Sequence, residues 1–361
     1  MIPYGAACSA VSADVAIIGD GIVGLSTAFE LAKRGASCVV IGASNKGAAS
    51  AAAAGLLAPS VGRLPSKVRP FFESSLERYP AFVEALRSYV PELAILRGLL
   101  DISLEAVGDP GAGSRLTPAE LAAIEPGLRA GAGARFHASD GAVDGGLLVK
   151  ALRMALESIP RSQTVVDDPV TSIDLSGAVT RLLLRSGARV AAPVLVLAAG
   201  AWAAAINGLP RPLPVRPLKG QMLMLGSKCV SHPVMGDEVY LVPRKDGMAV
   251  GATTEEAGFD SETTPSALEE LRRAAIAMCP ELESSPVVRG WAGIRPATPD
   301  MLPIIGRDPE QPALIYACGH SKNGILLAPE TATAVALLAQ GEPPAATLTP
   351  FAIARFEPEK C

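Results

Sequence analysis

Two stretches of this chain carry residue types at spacings that suit chemistry. The first is Gly19-Asp20-Gly21-Ile22-Val23-Gly24, a GxGxxG run between the apolar segment VAII and the helix-like segment LSTAFELAK. In such a turn the first glycine permits the tight bend. The second lets a pyrophosphate approach the backbone, and the third lets helix and strand pack closely. The helix start adds free N–H groups and about half a positive charge for phosphate. The second stretch is WAGIRPATPD, where Arg295 sits among Trp291, Ile294 and Pro296 in a setting that reads as partly buried. A guanidinium grips a carboxylate through two parallel hydrogen bonds, whereas a lone arginine more often makes a salt bridge. Of the three histidines only His320 lies inside a motif. His137 and His232 read as structural or exposed, and no constellation supports serine-histidine hydrolysis or a metal site.

These residues need a scaffold, and the apolar pattern predicts one. Asp14 to Ile41 reads as strand, glycine turn, helix and second strand. Such a unit usually ends its second strand in Asp or Glu, which hydrogen-bonds the ribose of a dinucleotide. Here CVVIGAS puts Gly42 at that place. Asp20 meanwhile adds a carboxylate near the expected pyrophosphate, as a helix cap or, turned inward, as a repulsive charge.

Downstream, GAASAAAAGLLAP reads as an alanine-rich loop or helix start. Ser66 to Val90 shows three- and four-residue apolar spacing, and TPAE at 117–120 reads as a capping box. EVYLVPRKDGMAVGAT reads as a hairpin around Asp246-Gly247. VLVLAAG and ALIYACG are buried strands ending in glycine, and HSKNGILLAPETATAVALLAQG is a helix ending at Gly341.

With 361 residues, 49% hydrophobic and 19% charged, the chain can bury two domains. A net charge of -4, with Lys and Arg spread among acids, argues against nucleic acid or anionic lipid and for a small-molecule partner. Cys8, Cys38, Cys229, Cys279, Cys318 and Cys361 form no CxxC pair and read as reduced. The start, MIPYGAACSAVSAD, lacks a basic region ahead of an apolar core, so a cytoplasmic location is expected. Val190 to Leu209 is uncharged and close to the ~20 residues that cross a bilayer. Pro193, Gly200, Asn207 and Gly208 interrupt it, so a buried strand, glycine turn and helix are expected instead of a membrane span.

SAAAAGLLAP, AAGAW, YLVPRKDGMAVGAT, WAGIRPATPD and ACGHSKNGILLAP occur here in one order. In them the chain resembles the flavin-dependent amine oxidases of the D-amino-acid oxidase superfamily, most closely the bacterial glycine oxidases linked to thiamine biosynthesis. The resemblance spans nearly the whole chain. It implies an α/β (α+β overall) fold: a Rossmann-like FAD-binding domain with a central parallel sheet, plus a substrate domain on an antiparallel sheet. The expected division is 12–75, 141–210 and 291–345 for FAD, and 76–140 and 211–290 for substrate. It further implies that Gly19, Gly21, Ile22, Val23 and Gly24 form the pyrophosphate turn, and that Gly42 and Ala43 lie at the ribose. Ala49, Ser50, Ala54, Gly55 and Leu56 fall by pyrophosphate and flavin, and Val170 at the adenine. His320, Ser321, Lys322, Asn323, Gly324, Ile325 and Leu326 wrap the flavin edge. Arg295 and Tyr240 hold the substrate carboxylate, although a tyrosine in a strand is by itself more often packing.

The activity implied is oxidation of glycine, with sarcosine and small D-amino acids as further candidates, by molecular oxygen to an imine and hydrogen peroxide. Family members are often tetramers, so a homo-oligomer is open. Related sarcosine oxidases attach flavin through a cysteine in the segment before TPD. GIRPATPD has none, so FAD is expected to be non-covalent, with Cys318 a buried thiol. The alternatives are a D-amino-acid or D-proline dehydrogenase with another acceptor, an NAD-dependent dehydrogenase, and a non-catalytic flavoprotein. The glycine at 42 leaves FAD held weakly or by a substitute contact from Ser44 or Asn45.

Overall fold

The structure is a computed structural model that describes residues 11–62, 64–103, 113–129, 133–165, 167–344 and 346–356. Its organising element is a six-stranded sheet in the order Ile304–Arg307, Leu314–Cys318, Val194–Leu197, Val15–Ile18, Cys38–Ile41, Ser162–Val165. All its pairings are parallel except that of Ile304–Arg307 with Leu314–Cys318. The central strands are apolar throughout because both faces are covered. Val15, Ile17, Cys38 and Val40 pack on the helices Ile22–Lys33, Gly145–Ser158, Gly324–Ala339 and Arg69–Arg87. Ala16, Ile18, Val39 and Ile41 face the other way, with the two-residue alternation of a strand. That second face is covered by a small sheet in the order Val11–Ser12, Arg189–Ala192, Thr180–Leu184, Val170–Asp174.

A nine-stranded sheet, mostly antiparallel, forms the other half. Its main path runs Val287–Ala297, Arg216–Leu225, Gly247–Gly251, Tyr240–Arg244, Val234–Met235, Ile95–Ser103, Gly133–Val143, Leu56–Leu57. The helix Pro265–Met278 buries Leu271, Ala275 and Met278 with Leu223, Leu225 and Val250 of this sheet. The mixed α/β architecture expected from the sequence is present.

Several local readings hold. Thr117 and Glu120 form a reciprocal capping box at the start of Pro118–Ile124. Gly341, with φ +82°, follows the last helix. The apolar run at Val190 to Leu209 divides into two strands and a 3-10 turn, Gly200–Ala205, in place of the expected helix. Among the described residues no helix is long and apolar enough to cross a membrane.

The hairpin is offset by one residue from the expected turn. Arg244 pairs with Gly247, so the loop is Lys245-Asp246 and Gly247 opens the return strand at φ +145°. A Cβ there would lie 3.0 Å from the Leu225 carbonyl carbon of the neighbouring strand. Glycine therefore serves close strand approach as well as the turn. Cys38, Cys229, Cys279 and Cys318 are free thiols. Cys8, Cys361 and the first ten residues lie outside the described residues.

Candidate active site

One cleft of about 1180 Å³ runs from the glycine turn to the antiparallel sheet. At its first end the turn after Val15–Ile18 meets the helix Ile22–Lys33. Gly19, at φ +119°, would carry a Cβ 2.5 Å from the carbonyl carbon of Ala198, and one on Gly24 would lie 3.0 Å from that of Gly19. The backbone can close only because these two side chains are absent. The helix cap is Gly21, with no side-chain cap bond and no acid in the first turn. Its dipole end is thus open to an anion. Ser50 Oγ accepts a hydrogen bond from the Ile22 N–H at 2.9 Å and so ties the alanine-rich segment to the turn.

Asp20 is neither the cap nor a bare repulsive charge. Its carboxylate pairs with Arg153 at 2.5 Å and is 15% exposed. Val170, Pro169, Arg185, Ala43 and Asn45 line the same end of the cleft; Gly42 does not.

In the middle, the four-residue helix Ala49–Ala52 leads into Ala53, Ala54 and Gly55. Trp291 Nε1 donates to the Ala52 carbonyl at 2.9 Å. A Cβ on Gly293 would lie 2.6 Å from the Ala52 Cβ, so this segment and the strand below it touch because both are small. Arg244 reaches across from the hairpin to donate to the Ala54 carbonyl and lies 3.5 Å from Asp144. Burial lowers the Arg244 pKa, and Asp144 pulls against that.

Facing this segment is His320 to Leu326. The His320 ring is buried, with Nε2 3.1 Å from Thr331 Oγ1, and burial pushes its pKa down to about 3. The imidazole is therefore neutral at pH 7. Pro329 lacks the N–H that would bond the Ile325 carbonyl within the helix, and the buried Tyr79 hydroxyl donates to that carbonyl instead. Ser75 Oγ donates to the Leu326 carbonyl at 2.7 Å. The helix Arg69–Arg87 thus fixes the loop from behind.

At the far end, Arg295 and Tyr240 project from neighbouring parts of the large sheet. Arg295 Nη1 donates to the Thr253 carbonyl at 2.9 Å. Opposite them are two glycines. A Cβ on Gly220 would lie 2.5 Å from Arg295 Nη1, and one on Gly251 would lie 2.5 Å from the Tyr240 hydroxyl. Burial raises the Tyr240 pKa, while Arg295, within hydrogen-bonding reach, pulls it down. The phenol stays protonated at neutral pH and donates to Met222 Sδ at 3.7 Å, and both Arg295 and Tyr240 line the cleft.

The residues expected from the sequence gather in this one cleft: Gly19, Gly21, Ile22, Val23, Ala43, Ala49, Ser50, Ala54, Gly55, Leu56, Val170, Tyr240, Arg295 and the run His320–Leu326. Gly24 and Gly42 do not face it, since Gly24 packs on the strand and Gly42 lies against Asp20. Sequence reasoning missed Gly220, Gly251, Arg153 and Arg244. The signal for the glycines is strand register, Gly220 opposite Gly293 and Gly251 opposite Tyr240.

A fit to FAD follows from this lining. The cleft offers a helix start whose N-cap residue has no side chain and whose only side-chain partner among the described residues is Ser50 at Ile22, walls of small residues in the middle, and the Arg295 guanidinium at one end.

Comparison with known proteins agrees. Residues 14–338 match the family described as DAO, FAD dependent oxidoreductase. The chain is 34% identical over 366 residues to a glycine oxidase of Pseudomonas putida, covering 95% of this chain and 98% of that one. It is 36% identical over 350 residues to the bifunctional protein ThiO/ThiG of a Nostoc species, covering 90% of this chain. It spans only about half of that relative's length, 52%. Among solved structures, glycine oxidase from Geobacillus kaustophilus superposes with a TM-score of 0.89 at 30% identity, covering 96% of this chain and 100% of that one. Iminodiacetate oxidase from Chelativorans sp. BNC1 gives 0.83 at 28%, covering 94% and 98%.

Proposed function

This chain belongs to the DAO family of FAD-dependent oxidoreductases, and from that premise we propose that it oxidises a small amino acid, glycine first, at its α-carbon–nitrogen bond. Bound FAD supplies the two-electron acceptor, reoxidised by molecular oxygen, so the products are an imine, which hydrolyses to the oxo acid and ammonia, and hydrogen peroxide. The observation that carries the reading is the meeting of Arg295 and Tyr240 over Gly220 and Gly251 at one end of the cleft that begins at the glycine turn. Among the described residues the Arg295 guanidinium has a carbonyl partner and no carboxylate. An anionic ligand completes its pairing.

The other residues position and exclude. The turn Gly19 to Val23 holds the pyrophosphate, with Gly21 and Val23 offering backbone N–H groups, while the Gly19 N–H is bonded to the Ile41 carbonyl and the Ile22 N–H to Ser50. Gly24 lets the helix pack behind them, Ala43 and Val170 flank the adenosine, and Ala49, Ser50, Ala54, Gly55 and Leu56 line the middle. His320, Ser321, Lys322, Asn323, Gly324, Ile325 and Leu326 close the far wall. His320 is buried and neutral and turned toward Thr331, which suits backbone contact from this loop and leaves the ring out of proton transfer. No strong base is needed when a neutral amine is held in place, and positioning supplies most of the rate.

FAD is proposed to be non-covalent. The Cys318 thiol is buried and its pKa is pushed up to about 12, so it is a poor nucleophile. A cytoplasmic location, a homo-oligomeric assembly and the link to thiamine biosynthesis belong to the same proposal. So does the division into a flavin unit on the parallel sheet and a substrate unit on the antiparallel one.

The test is a panel of glycine, sarcosine, iminodiacetate, D-alanine and D-proline, with peroxide and oxo acid measured together. Glycine should give both in equal amounts. Turnover of D-proline alone, and only with an added electron acceptor, would replace the oxidase reading with the dehydrogenase one.

A further inference from the structure

Gly42 and Asp20 compete for one place. A Cβ built on Gly42 would lie 2.5 Å from Asp20 Oδ2 and 2.9 Å from Oδ1. The volume that a side chain at 42 would enter is therefore filled by the Asp20 carboxylate. Asp20 lines the cleft and Gly42 does not. The Gly42 backbone is itself tied into this end, its carbonyl accepting from the Asp168 N–H at 3.2 Å, two residues before Val170.

We propose that Asp20 is the ribose-binding carboxylate of this site. The acid that a dinucleotide unit ordinarily carries at the end of its second strand is supplied here from inside the glycine turn, and Gly42 is glycine because that acid needs the room. Two features make a carboxylate workable so close to a pyrophosphate. Arg153, on the helix Gly145–Ser158, pairs with Oδ2 at 2.5 Å and offsets the negative charge. The same bond fixes the rotamer and leaves further lone pairs to accept from a sugar diol. Asn45 also lines this end of the cleft, but as a neutral amide it is the weaker acceptor. The inference rests on FAD lying with its adenosine half at this end, as in the reading above.

Titrating apo-protein with FAD and, separately, with FMN, which lacks the adenosine half, tests it through flavin fluorescence. Asp20→Ala should raise the FAD Kd about 10- to 100-fold, the range for a hydrogen bond to a charged group, and leave FMN binding unchanged. Asp20→Asn should act in the same direction by a smaller factor, and it retains the shape of the side chain if alanine disturbs the fold. Asp20→Gly combined with Gly42→Glu returns the carboxylate to the strand end and should recover most of the FAD affinity. An unchanged FAD Kd in Asp20→Ala overturns the proposal. An equal weakening of FMN overturns it too, because the role would then be structural. If the natural chain binds neither flavin, the flavin reading falls with it.

Discussion

The two ends of the cleft solve the same steric problem and leave opposite electrostatics. At the end proposed for adenosine Gly42 yields its space to the Asp20 carboxylate, and at the end proposed for substrate Gly220 and Gly251 yield theirs to Arg295 and Tyr240. In each case a glycine on one strand makes room for a polar side chain from a neighbour. The difference lies in the pairing. Asp20 already has a cation in Arg153, so it can only share a hydrogen bond with a ligand. Arg295 has a carbonyl and a phenol beside it, so in the proposed reading a ligand carboxylate supplies its counter-charge. A paired end contributes modest affinity, whereas an end lacking its counter-ion decides which ligands bind.

The largest test of this contrast is Arg295→Ala. Two charge-assisted hydrogen bonds at about 1.5 to 3 kcal/mol each imply a rise in the KM for glycine of about 10²- to 10⁴-fold, read from steady-state peroxide formation. An unchanged KM would show that the carboxylate sits elsewhere. Gly220→Ala sharpens the steric half of the argument, because it removes no functional group. A methyl 2.5 Å from the guanidinium must tilt it, and a shift of that size costs on the order of 100-fold in kcat/KM with little change in FAD affinity. Tyr240→Phe should cost less, about 2- to 12-fold in KM, as expected for one neutral hydrogen bond of about 0.5 to 1.5 kcal/mol.

The smallest effect concerns the loop between the two ends. The unfolded chain takes up a proton on His320 near pH 6.5, while the buried ring stays neutral down to about 3. The unfolded state therefore binds more protons in that window, and stability falls as pH drops through it. The loss at pH 5 is roughly 2 kcal/mol. Thermal melts at pH 7.5 and 5.0 should show a smaller pH-dependent loss in His320→Gln than in the natural chain. An identical loss would mean that the ring is solvated.

Much of the fold and of the candidate site was legible because the signals are local. The glycine turn, the capping box at Thr117 and the run from His320 to Leu326 are each fixed by neighbours in sequence, through backbone freedom, cap chemistry or a continuous motif. What escaped depends on register between distant strands. Nothing near Gly220 says that Arg295 will lie over it; that follows only once Leu218 pairs with Arg295 and Gly220 with Gly293. The Asp20 and Gly42 exchange is of the same kind. Each looked like a defect alone, and the parallel pairing of Val15–Ile18 with Cys38–Ile41 brings the two together. The hairpin turn was displaced by one residue because Gly247 answers to the strand beside it as well as to the bend.

The central claim is that an amino-acid carboxylate held by Arg295 presents its amine carbon to FAD. Its most direct test is an anaerobic titration of the FAD-loaded protein, followed at the flavin absorption band, with glycine and with glycinamide. The account predicts that glycine bleaches the band and air restores it, while glycinamide, which lacks the carboxylate, leaves it unchanged at matched concentration. A band that glycine does not bleach, or that glycinamide bleaches equally well, would contradict it.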